Sequence, residues 1–156
     1  MSIQKVREYF KTKGIEDRVR EFDISSATVE LAAKALNCDE CRIAKSMSFK
    51  TEEKAIIIVT AGDVKIDNAK YKAKFHTKAK MLQYDEVEPT IGHKVGGVCP
   101  FAINDNVEVY LDESLKRFNT VFPACGSSNS AIELTILELE QYSNFIEWID
   151  VCKIME

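Results

Sequence analysis

The sequence predicts one α/β domain of the α+β kind, built on a mixed sheet of about six or seven short strands with helices packed around it. Three observations predict it. Segments with apolar residues every three or four positions alternate with short β-branched runs, and neither class dominates. Hairpin patterns, such as Arg42–Lys50 and Ala55–Thr60 about the turn at Glu52-Glu53, bring antiparallel pairs into the sheet. The 156 residues are 46% hydrophobic and 29% charged, average for a globular chain, and 6 Gly and 3 Pro are too few for a long linker. A single domain over residues 1–156 is expected, with a core that needs no disulfide or metal to hold it.

Taken in order, Ile3–Lys13 is an amphipathic helix presenting Ile3, Val6 and Phe10, with Gly14 ending it. Arg18–Ile24 alternates loosely as a short strand. Thr28 caps Val29–Leu36, where Val29, Ala32, Ala33 and Leu36 recur at helical spacing. Arg42–Lys50 alternates through Ile43, Met47 and Phe49, and Ala55–Thr60 is rich in β-branched residues. Asp67 opens a lysine-rich helix, and Gln83–Pro89 is a further short one. Thr90–Phe101 holds three of the six glycines and reads as a loop with demanding backbone geometry. Asn106–Leu111 is a strand and Asp112–Leu115 one helical turn. Asn119–Ala124 and Ala131–Leu134 are strands joined by the polar turn Cys125–Ser130. Ile136–Tyr142 is helical, and Phe145–Cys152 closes the sheet.

Composition excludes several classes. Charges at Lys5, Arg7, Glu8, Lys11 and Lys13 leave no apolar signal region at the start. The longest apolar run, Ala55–Val59, has five residues, far short of a membrane span. A cytoplasmic protein with no membrane partner is expected. The net charge of −4 argues against a nonspecific nucleic-acid binder. Its distribution is uneven, with 17 Lys/Arg against 12 Asp/Glu in residues 1–80 and 4 against 13 beyond. If Lys65–Lys80 is helical, Lys70, Lys74 and Lys78 stack on one face, either as a solvated surface or as a track for a phosphate backbone.

The five cysteines make no closed disulfide framework. Cys38-Asp39-Glu40-Cys41 has the spacing of half a zinc site but no second pair, and it follows a helix rather than opening one. Cys99 or Cys125 with His93 is a conceivable thiol pair, without an acidic partner to orient it.

Three stretches carry the chemistry. In Gly92-His93-Lys94-Val95-Gly96-Gly97-Val98-Cys99-Pro100-Phe101, paired glycines let backbone N–H groups approach a carboxylate, a phosphate or a developing oxyanion, although a tight structural turn needs the same residues. It has neither the order of a P-loop nor that of a dinucleotide fingerprint. Lys45 sits in a strand on the parity of Ile43, Met47 and Phe49. It is either a gatekeeper at an edge, a snorkelling side chain, or an inward charge lining a cavity. Pro123–Leu134 crowds small residues between two strands, as a turn or as room for a ligand.

Together these stretches resemble the YbaK/ProX family of aminoacyl-tRNA editing domains. The matching elements are Thr28-Val29-Glu30-Leu31-Ala32-Ala33, then Ile43-Ala44-Lys45-Ser46, then Gly96–Pro100 as Gly-x-x-x-Pro, then Pro123–Leu134. The resemblance implies a compact, mostly antiparallel sheet partly closed like a barrel. It also implies hydrolysis of the ester of a mischarged tRNA, prolyl-type with a small amino acid, without metal, cofactor or protein nucleophile. Lys45, Gly96 and Gly97 would then be catalytic. Thr28, Ser46, His93, Val98, Pro100, Gly126 and Asn129 would bind the aminoacyl end, and Lys70, Lys74 and Lys78 the tRNA. An aminoacyl-tRNA synthetase is a further candidate partner, and a non-catalytic module that binds the aminoacyl group or tRNA end is the alternative function. Ile136, where a proline is commoner, and Cys125, where a small non-thiol residue is, depart from the family pattern.

Overall fold

The computed structural model describes residues 2–155. Its elements are α1 (Ser2–Thr12), β1 (Arg20–Glu21), α2 (Val29–Leu36), β2 (Ile43–Lys50), β3 (Ala55–Ala61), β4 (Val64–Ile66), α3 (Asn68–Phe75), α4 (Tyr84–Ile91), β5 (Glu108–Asp112), β6 (Thr120–Pro123), β7 (Ser130–Ala131), β8 (Leu134–Thr135), α5 (Ile136–Ser143), β9 (Glu147–Ile149) and β10 (Cys152–Ile154). Six strands form the central sheet, in the order β8-β6-β2-β3-β5-β9, curled into a half-barrel. The other four make two short antiparallel ribbons, β1 with β7 and β10 with β4.

The expected hairpin is present, with β2 and β3 antiparallel from Ala44↔Ala61 to Lys50↔Ala55. Strand β3 is buried along its whole length, as its run of β-branched residues requires. The sheet is mixed: β2–β6, β3–β5 and β5–β9 are parallel, while the hairpin, β6–β8 and both ribbons are antiparallel.

Two predicted strands are each divided, for reasons that lie far away in sequence. Phe145–Cys152 becomes β9 in the sheet and β10 against β4. Between them the buried Asp112 carboxylate accepts the Val151 N–H at 3.0 Å and diverts the chain. Ala131–Leu134 becomes β7 against β1 and β8 against β6. Arg18–Ile24 contributes two strand residues after a short 3-10 turn, Glu16–Arg18.

The lysine-rich helix is shorter than its charge pattern predicts. Asp67 caps it as expected, its carboxylate accepting from Ala69 and Lys70 N–H. His76 ends it in the left-handed region, at φ 63°. Lys78 therefore lies beyond α3, and the three-lysine helical stripe does not form.

One face of the sheet holds the larger core. There Ala44, Ile57, Val59, Leu111 and Val121 pack against Phe10 of α1, Ile91 of α4 and Leu139 of α5. The opposite face carries two separate clusters. Phe49, Ile56 and Ile58 meet Tyr71 of α3, and Ile43 and Phe122 meet Ala32, Ala33 and Leu36 of α2. Lys45 has the parity of this second face and falls between its two clusters.

Candidate active site

A cavity of about 300 Å³ opens where β2 and β6 part company. Their register covers Ile43 and Ala44 and goes no further. Lys45 and Ser46 line the cavity from β2, Thr28 from the start of α2, and Gly96 and Val98 from the loop after α4. With Ala124, Ser130 and Ala131 added from the Pro123–Leu134 stretch, all four elements that carry the family resemblance line a single space.

Each is held by local bonds. The Thr28 hydroxyl accepts the Leu31 N–H at 3.1 Å, a helix cap that places the residue at the cavity mouth and occupies its side chain. The glycine loop is wedged between two walls. At Gly96, with φ +95°, an added Cβ would sit 3.3 Å from the Ala27 Cβ. At Gly97 it would fall 2.5 Å from the Gly126 carbonyl carbon and the Ser127 nitrogen. Gly97 N–H closes a turn onto the Lys94 carbonyl at 3.0 Å. On the glycine loop, Gly96 and Val98 line the cavity with N–H groups that have no protein partner among the described residues. Sequence reasoning named Gly97 as a donor; the turn consumes it.

Lys45 is half-buried, and its ammonium donates to the Val64 carbonyl at the start of β4. The nearest carboxylate, Asp63, is held by Arg117 in a two-point pair at 2.6 and 3.0 Å. Burial is the main influence on Lys45 and lowers its pKa, against a smaller raising effect of Cys152 and Asp63. The result is a desolvated cation with a single neutral acceptor and spare donors. Such a group is poised to take a carbonyl or anionic oxygen.

Other predicted residues sit elsewhere. His93 is fully buried, its Nε2 2.7 Å from the Phe101 carbonyl and 3.5 Å from the Cys99 sulfur. Burial lowers its pKa, so it is a neutral packing residue behind the loop. Burial also pushes the Cys99 thiol up to about 12, and neither Cys99 nor Cys125 is exposed. A thiol at that pKa, away from the cavity wall, is no nucleophile. Pro100 lines a second cavity of about 230 Å³ with Tyr9 and Ile103.

The Asn129 side-chain amide donates to the Phe22 carbonyl at 2.9 Å, and Gly126 packs on the Ser2 backbone. Both brace the cavity from behind. Lys70 pairs with Asp150 at 3.0 Å and Lys74 with Glu147 at 2.6 Å. These two lysines neutralise the acidic end of the chain on their own face.

The far wall went unread in the sequence. Met81, Leu82 and Tyr84 close the cavity opposite α2, held there by an isolated bridge between Met81 and Phe49. No local pattern marks that bridge. Tyr84 is 81% exposed at the rim, which is high for an aromatic residue beside a cavity.

The half-barrel with a half-buried strand lysine and a glycine loop on one cavity is the arrangement that the resemblance implies, and the comparisons bear out the family. Residues 25–142 match the aminoacyl-tRNA editing domain, and the chain belongs to that family. It is 55% identical over 154 residues to the uncharacterized protein YwhH of Bacillus subtilis (strain 168), with 98% of each chain covered. It is 24% identical over 129 residues to the proline–tRNA ligase of Bacillus cytotoxicus, matching 82% of this chain but 22% of the ligase. A solved structure described as a candidate trans-editing enzyme for prolyl tRNA synthetase superposes with a TM-score of 0.87 at 26% identity, over 97% of both chains.

Proposed function

We propose that this protein is an aminoacyl-tRNA deacylase, hydrolysing the ester of a mischarged tRNA, prolyl-type with a small amino acid. The observation that carries this reading is Lys45, a desolvated ammonium on one wall of a cavity whose opposite loop offers N–H donors. Water attacks the ester carbonyl carbon, and the carbonyl oxygen becomes an oxyanion. The free N–H groups of Gly96 and Val98 stabilise that charge in a site sheltered from bulk water. Collapse breaks the bond to the ribose oxygen, which takes one proton of the attacking water and leaves as a hydroxyl; the water's other proton passes to solvent, and the amino acid departs as its carboxylate. Lys45 holds the ester or terminal phosphate in place.

Among the described residues no group of His, Cys, Asp and Glu side chains is placed to hold a metal ion, and no helix is long and apolar enough to cross a membrane. Met81, Leu82 and Tyr84 on the far wall limit the room left by the small residues of β2 and of the 124–131 stretch, and the pocket selects the amino acid by size. The discrimination has a limit, since one methylene is worth about 1–3 kcal/mol. A synthetase that misacylates the tRNA is the natural partner in a cytoplasmic setting.

The test is deacylation of tRNA specific for proline loaded with Ala, Cys or Ser, by wild type and Lys45→Ala. Hydrolysis of one or two substrates, lost in the variant, supports the proposal. No hydrolysis across the panel, with binding retained, makes the protein a recognition module.

A further inference from the structure

Strand β2 has an uncovered stretch of edge where it faces the cavity. At one end, its register with β6 stops at Ala44. At the other, the segment before α4 covers the same edge: Leu82 N–H donates to the Ser48 carbonyl at 3.1 Å, and Lys50 N–H to the Lys80 carbonyl at 2.8 Å. Backbone polar groups alternate sides along a strand, so these bonds identify the even-numbered residues as those turned outward. Ser46 is the outward residue between the two covers. Its N–H and C=O, and the N–H of Ser48, have no partner among the described residues. The Ser46 hydroxyl is also buried without a partner. Native structures seldom leave a strand edge or a buried hydroxyl unsatisfied. Ser46 and Ser48 line the cavity, with Ala124 and Leu82 at the two ends of the gap.

We propose that this edge binds the L-aminoacyl group of the substrate as a one-residue antiparallel strand opposite Ser46, and therefore requires a free α-amino group. The proposal rests on the deacylase reading above and names what the site reads in its substrate. A residue opposite Ser46 donates its N–H to the Ser46 carbonyl and accepts from the Ser46 N–H. An α-ammonium beside an ester carbonyl carries that same donor and acceptor.

Direction matters as well. Run antiparallel, the ester side of the amino acid extends toward Lys45 and the amino side toward Leu82. An acyl group on the nitrogen would meet the edge Leu82 already occupies. Directly opposed residues put their side chains on one face. An L-side chain therefore falls beside Ala44, Ser46 and Ser48, the small residues of β2, while Lys45 and Met47 take the other face. Esters whose amine is already in amide linkage, as in a growing peptide on tRNA, are spared.

The test titrates ¹⁵N-labelled protein with 3′-deoxy-3′-(L-alanylamino)adenosine, whose amide link resists hydrolysis, and with its N-acetyl counterpart. The Ser46 and Ser48 amide resonances should shift with the free amine, and acetylation should weaken binding about tenfold or more. Equal affinities, or unmoved resonances at those two amides, overturn the proposal. A companion assay compares deacylation of L-alanyl-tRNA and N-acetyl-L-alanyl-tRNA, each against its spontaneous rate. Equal acceleration of both overturns the edge reading and leaves the deacylase standing. The resonance pattern without any hydrolysis upholds the edge reading and removes the deacylase.

Discussion

Gly97 and Gly126 meet backbone to backbone, 29 positions apart in sequence, so close that a Cβ on Gly97 would lie 2.5 Å from the Gly126 carbonyl carbon. The contact sets how far the glycine loop stands from β2. Gly97→Ala must move the loop, because neither obstructing atom belongs to a flexible side chain. The variant should lose about 1–3 kcal/mol of stability and most deacylation. Gly14→Ala is the control: its φ of +77° is strained for alanine but nothing lies within 4 Å. It should cost about 1 kcal/mol with activity intact. Thermal melts and deacylation rates of the pair separate backbone strain from the loop contact.

Lys45→Met keeps the apolar stem and removes the charge. Deacylation should fall about a hundredfold or more, while stability holds or rises because a penalised buried cation is gone. In the wild type burial places the Lys45 pKa below its ordinary 10.5. The unfolded chain then binds this proton more tightly, so its contribution to stability increases as pH climbs from the lowered value toward 10.5. Activity dependent on the ammonium should decline over that same climb. A kcat/KM profile whose alkaline limb is unchanged in the variant would remove Lys45 from the reaction.

Arg18 clamps Glu138 through two hydrogen bonds at 2.7 and 3.0 Å and, chiefly through them, draws its pKa down to about 2. The depressed carboxyl stabilises the fold fully above its ordinary 4.5, and that contribution is lost as pH falls toward 2. Both side chains are partly exposed, so screening limits the pair to about 1 kcal/mol. Glu138→Gln retains an acceptor for the helix cap at Thr135 and should flatten the acid limb of a stability–pH curve. A limb identical to wild type would show that other carboxylates set it.

Cys99→Ser and Cys125→Ser should each keep full deacylation while losing stability, since a hydroxyl replaces a buried thiol at a cost of about 1–3 kcal/mol. A thiol reagent applied to the native protein should label the partly exposed Cys38 and Cys41 and leave the three buried cysteines unmodified. Inactivation in a correctly folded Cys99→Ser would restore a thiol mechanism.

For tRNA, Lys70→Glu and Lys74→Glu place like charges against Asp150 and Glu147 and should lower the melting temperature. Lys78→Glu should not. If the lysines of this face contact the substrate, all three reversals weaken tRNA binding and reduce its salt dependence. Unchanged affinity returns them to a solvated surface.

Much of this was legible in local pattern. The Thr28 cap, the β2–β3 hairpin and the Asp67 cap each depend on neighbours a few residues away, and each stands where periodicity and capping chemistry put it. The short reach of that pattern also explains the misses. It extended the lysine helix to Lys78 because charge spacing carries no information about His76 entering the left-handed region. It assigned Gly97 as a donor because a glycine pair shows backbone freedom but not which N–H a turn will use. His93, Asn129 and Pro100 were drawn toward the ligand by belonging to the right segments, and their side chains turned to bracing or to another cavity.

What the sequence determined by itself is the set of elements and the residue types available for chemistry, because caps, hairpins and apolar periodicity act over a few residues. The tertiary structure alone decided where β2 would part from β6, that Met81 would bridge to Phe49, and that Lys45 would be desolvated beside Val64. Those outcomes arise from packing between segments distant in the chain. Desolvation and an open strand edge exist only once that packing has removed water and left one residue, Ser46, without a neighbour.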